Sequence, residues 1–283
     1  MASPLDIWIA RAEEHWLHEL YAHAKEVFRS SFLPSHDHAH HLRVWNLSKR
    51  LLQDIDTIQH PLSPALVDGV LIASFFHDLG MAQSTREDHG RLGRDLCQSW
   101  FSESGHSPPA EFETILEAIE WHDTKEARIY PEAGSPPGIL GILSVADDLE
   151  AMGVIGIYRY AEIYLLRGIP LALLGTRVLE NAGKRIRNLT SPGIFTQVME
   201  EYQQQFEELT RFYTQYNRQW LSVEEPERAE QGQLGVIHYI RKRSLEGKVR
   251  PEDLITNAGE EGKGPMILDF FSKLKHELEK ERR

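Results

Sequence analysis

Apolar residues recur at every third or fourth position through most of this 283-residue chain, and the strict alternation of a half-buried strand is nearly absent. Residues 5–31 place Ile9, Trp16, Leu17, Leu20, Ala24, Val27 and Phe28 along one helical stripe. A second helix is predicted over 40–52, where Val44, Leu47 and Leu51 align with His40. Pro61 and Pro64 break the chain and start a third helix over 65–79. The same periodicity predicts helices over 89–102, 111–121, 138–150, 154–168, 171–188 and 195–220. The expected fold class is all-α, a bundle divided by loops such as GHSPPAEF, ahead of the 111–121 helix, and YPEAGSPPG, ahead of 138–150.

Beyond Trp220 the pattern turns polar in SVEEPERAEQGQ, continues through GVIHYIRKRSLEGKVRPEDL and the Gly-rich NAGEEGKGP, and closes on an amphipathic helix, MILDFFSKLKHELEKERR. We therefore expect a main domain over 1–220 and a C-terminal helical extension over 221–283. Ile267, Phe270, Phe271 and Leu274 of the last helix either pack on the main bundle or form the seam of a homo-oligomer. No internal repeat or low-complexity tract interrupts the chain.

With 41% hydrophobic residues the chain can bury a substantial core. A net charge of −12 argues against a nucleic-acid-coating surface, which needs clustered Lys and Arg. The N-terminus has no basic start followed by an apolar stretch, and no run approaches about 18 uncharged apolar residues. The expectation is a soluble cytoplasmic protein with no nucleic-acid partner and no membrane. The single cysteine, Cys97, excludes a thiolate zinc site.

One feature departs from this ordinary patterning. His77-Asp78 stands inside the apolar run GVLIASFFHDLG, and a buried imidazole beside a buried carboxylate costs several kcal/mol unless hydrogen-bonded, paired or bound to a cation. His40, His89, His122 and Asp147 lie within or beside other apolar helical patterns, giving six candidate ligands. Imidazoles and carboxylates suit divalent ions such as Mn, Fe, Co, Ni and Zn. His122 ends a helix, where it is either a ligand or a capping residue favoured by the dipole. His89 opens a helix, as a ligand or as a solvated residue of a polar turn. In SHDHAHHLRV, His36 and His40 share a helix face while His41 points elsewhere; Ser35 is the expected N-cap, and Asp37 or His36 the expected contacts to ligands or substrate. The remaining histidines show no ligand context.

The order His40, His77-Asp78, His122 and Asp147 resembles the HD superfamily of metal-dependent hydrolases. HHLRVW is similar to the first-ligand helix of that family and singles out His40 over His36, His38 and His41. LIASFFHDLG resembles its signature helix, and ILSVADDLEAMG its closing helix, which carries the ligand role to Asp147 rather than Asp148. The similar motifs cover roughly residues 36–152.

The resemblance implies an HD-type helical bundle and a phosphohydrolase acting on a nucleotide or small phosphorylated metabolite. It implies one or two divalent ions per chain (Mn, Fe, Co, Ni, Zn or Mg) held by His40, His77, Asp78, His89, His122 and Asp147, with His77 and Asp78 at the catalytic centre. In the two-ion form Asp78 bridges, with His40, His77 and Asp147 on one ion and His89 and His122 on the other.

Arg43, Arg86 and Lys125 are the expected substrate contacts, and Arg43 has the alternative of pairing a core carboxylate. Asp148 and Asp123 are weaker candidates for proton transfer. The loop YPEAGSPPG is expected to lie over the pocket. Gly80 is followed by Met81 where many HD phosphohydrolases carry Lys, and Asp123-Thr124-Lys125 lacks the pattern of cyclic-di-GMP phosphodiesterases. The rival readings are an HD-fold di-iron oxygenase and a non-catalytic regulator stabilised by its metal.

Overall fold

The computed structural model describes residues 3–124, 137–190 and 195–280, and every regular element among them is helical. The chain divides into two compact units: Met1–Ser31, His36–Glu150 and Arg187–Glu200 in the first, and Phe32–Ser35, Ala151–Ile186 and Glu201–Arg283 in the second.

The first unit begins with α1 (Pro4–Ala12), whose Ser3 and Asp6 form a reciprocal capping box. A π-helical turn, Glu13–Leu17, carries it into α2 (His18–Val27), so the expected 5–31 helix is present with an inserted turn at buried Trp16. Helix α3 (His38–Thr57) is capped by Asp37, whose Oδ1 accepts from the Ala39 amide at 3.0 Å. The expected cap, Ser35, instead donates its hydroxyl to Glu162 Oε1 at 2.6 Å, a charge-assisted bond.

Helix α4 (Pro64–Phe76) starts on a Ser63 cap with Pro64 in its first turn, and a 3₁₀ turn over Leu79–Ala82 follows it. The segment Pro64–Ala82 is long and apolar enough to cross a membrane by length and composition, although Asp68 and Asp78 interrupt it. It is 78% buried inside the protein. Helix α4 packs against α1, α3, α6 (Phe112–Trp121) and α7 (Ile139–Glu150), so it is apolar on every side because every side meets another helix. Val70, Leu71, Ile72, Ala73 and Phe76 are fully buried, each larger side chain contributing about 1.5–3 kcal/mol of hydrophobic stabilisation.

Helix α5 (His89–Ser104) approaches the end of α4 closely enough that two glycines are required. A Cβ on Gly80 would collide with the carbonyl oxygen of His89, and one on Gly93 with that of Phe76. Cys97 of α5 is buried, which pushes its thiol up and keeps it unreactive.

The second unit contains α8 (Gly153–Leu166), most of α9 (Leu171–Thr190) and α10 (Thr196–Ser222), then α11 (Gly232–Tyr239), α12 (Leu254–Glu260) and α13 (Pro265–Lys280). Tyr158, Leu174, Val178, Leu209 and Tyr213 share one core with Val236, Ile237, Leu254, Phe271 and Leu274. Helices on both sides of Trp220 thus bury their apolar faces in one core, and a polar connector does not by itself separate cores. Ile267, Phe270, Phe271 and Leu274 are spent in this core rather than on a seam. Buried Tyr213 and Tyr216 donate their hydroxyls to the carbonyls of Ile157 and Leu171 at 2.8 and 2.9 Å.

Candidate metal centre

Six side chains converge in the first unit. His77 is the C-cap residue of α4, and Asp78 follows with φ −102° and ψ 6°, outside helical geometry, so that two consecutive residues turn into the same space. His40 comes from the first turn of α3, Asp147 from α7, His89 from the first position of α5 and His122 from the C-cap of α6. All six are buried.

The carboxylate of Asp78 divides them into two donor groups. Its Oδ2 faces His40 Nε2 at 3.3 Å and His77 Nε2 at 3.6 Å, and Asp147 Oδ1 lies 3.9 and 4.0 Å from the same two nitrogens. Its Oδ1 faces His122 Nε2 at 3.1 Å and His89 Nε2 at 3.3 Å. Ligands about 2.1 Å from a common ion stand roughly 3.0–3.4 Å apart in octahedral or tetrahedral arrangement. The spacings to Asp78 Oδ2 and Oδ1 lie in or near that range, while those to Asp147 reach 4.0 Å, so the donors fit a divalent ion once the Asp147 carboxylate moves inward by roughly half an ångström.

Tautomers point the same way. Nδ1 of His77, His89 and His122 meets the backbone carbonyls of Ser74, Arg86 and Ile119 at 2.9, 2.7 and 2.8 Å. A carbonyl only accepts, so each Nδ1 carries the proton, and each ring when neutral offers its Nε2 lone pair inward. The Nε2 atoms of His40 and His77 are only 3.1 Å apart, an approach of two lone pairs that a cation between them relieves.

Protonation is polarised across the cluster. Burial lowers His77 to about 3 against the opposing pull of Asp78, so this ring is neutral through the physiological range. For Asp78, burial alone would raise the carboxyl, but its electrostatic interaction with the His77 ring and hydrogen bonds from protonated His122 and His40 hold it well below the usual carboxylate range. Burial pushes His122 down, yet its hydrogen bond to Asp78 and that residue's charge prevail and raise it.

The histidines beside the first ligand have separate places. His41 is buried, its Nδ1 3.0 Å from the Ser74 carbonyl that His77 also uses, and its ring lies parallel to that of Phe75. Burial and then the neighbouring His77 and His40 lower it well below its usual value. His36 is buried with its ring centroid 5.6 Å from that of His40.

Of the expected substrate contacts, Arg43 is 1% exposed and donates Nε to Glu150 Oε1 at 2.6 Å, which is the core pairing its sequence context allowed. Arg86 is exposed, and its carbonyl holds His89. Arg91 and Arg94 pair with Asp95 and Glu120. Lys125 and residues 130–136 of the YPEAGSPPG loop lie outside the described residues. Asp148 is fully buried and Asp123 exposed.

Sequence reasoning missed Glu150. Its Oε2 stands 3.3 Å from His40 Nδ1, and its spacing of three residues from Asp147, the same as Arg43 from His40, was the available signal.

Residues 38–152 match the family model of the HD domain, and the match begins and ends around the helices that carry His40 and Asp147. That stretch of the chain is similar to the HD domain. Neither the comparison with curated proteins nor that with solved structures returned a match. The all-α fold and the buried His and Asp cluster agree with the HD domain assignment.

Proposed function

We propose that the HD domain is a metal-dependent phosphohydrolase that cleaves a phosphate ester or anhydride of a nucleotide or small phosphorylated metabolite. The observation that carries the reading is the division of Asp78, one oxygen to each of two donor groups, His40, His77 and Asp147 on one side and His89 and His122 on the other. Divalent ions bound there would acidify a water and neutralise phosphate charge.

The chain's own residues supply the rest. Asp78 would be the ligand common to the two groups, and His77, neutral and fixed by the Ser74 carbonyl, would complete the first. Burial of all six donors keeps competing waters from the charges. Arg86, exposed three residues before His89, and Lys125, three residues after His122, are assigned to the substrate phosphate. Arg43 is withdrawn from that role by its pairing with Glu150.

The test is phosphate release from a panel of nucleotides and sugar phosphates under Mn, Co, Ni, Mg and Fe. Release from at least one compound, abolished by chelation and by His77→Ala, is the expected result. A His77→Ala protein with full metal content and activity would overturn the assignment, as would oxygen uptake by iron-loaded protein without phosphate release.

A further inference from the structure

The four histidines of the cluster are not supported alike. His77 and His122 follow the ends of α4 and α6, where the last carbonyls of a helix have no intrahelical partner and are free to orient an imidazole. His89 uses a carbonyl of the turn before α5. His40 is in the first turn of α3, and the carbonyl three residues before it, Asp37 O, already accepts the amides of His40 and His41 at 2.9 and 3.4 Å. Its Nδ1 instead faces a carboxylate, Glu150 Oε2, at 3.3 Å.

That carboxylate is itself held. Arg43, three residues after His40 on α3, donates to Glu150 Oε1, while Glu150 is three residues after Asp147 on α7, and the two helices pack together. The side chains of His40, Glu150 and Arg43 are 0%, 2% and 1% exposed. A carboxylate behind a ligating histidine fixes its tautomer and raises its basicity. The buried arginine, donating to its other oxygen, holds that carboxylate in place.

Resting on the metal reading above, we propose that Glu150 is a positioning residue that tunes the His40 half of the metal centre, and that Arg43 serves it by holding its charge in place. The histidines backed by neutral carbonyls lack this control, so the effect is confined to the ion that His40 touches.

The test is titration of Co(II) into chelated protein, followed by its visible absorption, together with nitrogen-15 NMR of the His40 ring in the metal-free state. Glu150→Gln is expected to weaken binding about 10–100-fold. It should also move His40 from the Nδ1–H form to a mixture of tautomers. Because this variant leaves Arg43 buried without its counter-charge, the double variant Arg43→Met/Glu150→Gln removes both charges and guards against simple unfolding.

The double variant is expected to melt cooperatively and still bind weakly. Wild-type affinity and an unchanged His40 tautomer in the double variant would overturn the proposal, since they would show that Glu150 serves only to balance Arg43. His40→Ala separates the two ideas. If it binds Co(II) as the wild type does, the metal reading itself falls and this inference with it; if it loses binding while Glu150→Gln keeps full affinity, only the inference falls.

Discussion

The half of the cluster formed by His40, His77, Asp78 and Asp147 draws on residues within α3 and α7 as well as the end of α4, whereas the half formed by Asp78, His89 and His122 draws on helix termini alone. The first half has two carboxylates facing its imidazoles and a third, Glu150, behind one of them. The second has one carboxylate oxygen and two imidazoles held by backbone carbonyls. Termini supply unpaired carbonyls without any side chain being committed to the task, but they supply no charge. The expected consequence is that the first half binds its ion more tightly and retains it longer.

The most damaging way to test that contrast is to remove what the halves share. On the two-ion form of the proposed function, Asp78→Ala is expected to reduce uptake from two ions to less than one and to abolish phosphate release, because each half would lose an oxygen. Metal analysis by mass spectrometry reads the result; a variant that keeps both ions would show that Asp78 bridges nothing. Removing His122 should be milder. His122→Ala is expected to lose one ion and keep the other, leaving a protein with a single site.

Acid should separate the halves without mutation. Metal binding needs neutral imidazoles, and His122 is raised by Asp78 while burial holds His77 near 3. As pH falls, the proton on His122 therefore competes first, and the second half empties at a higher pH than the first. Simultaneous loss of both ions in a pH titration would contradict this asymmetry. Gly80→Ala is the smallest perturbation. It forces the 3₁₀ turn after Asp78 away from α5, at an expected cost of about 1–3 kcal/mol in a denaturant melt, and should weaken the His89 half more than the His40 half.

Much of this was legible in the chain. Helical periodicity placed the elements that carry the cluster to within a few residues, since each buries a broad apolar face against its neighbours. His40, His77-Asp78, His122 and Asp147 stood out because their type conflicts with their apolar surroundings. His89 was ambiguous by the same criterion: STREDHGRLGRDL is polar, and only the close approach allowed by Gly80 and Gly93 buries it. Glu150 was hidden for the opposite reason, as one acid in an acid-rich segment whose partner lies 107 residues away. The units were also hidden, because a run of polar residues after Trp220 shows where a chain meets water and not which helices share a core. Similarly, Ser35 and Asp37 are equally good caps by residue type, and the choice fell to the acceptor that Ser35 found in Glu162.

Helix α4 carries the signature pair at the end of the least polar stretch of the chain, with no face suited to solvent. Any state in which the first unit opens therefore presents that stretch to other chains as an adhesive surface. Refolding from denaturant becomes a race between closure around the ligands and association through α4. If the proposed metal reading holds, divalent ions added at the start should raise the yield of monodisperse protein, and a chelator should lower it, even though only His77 and Asp78, past the end of α4, would touch them.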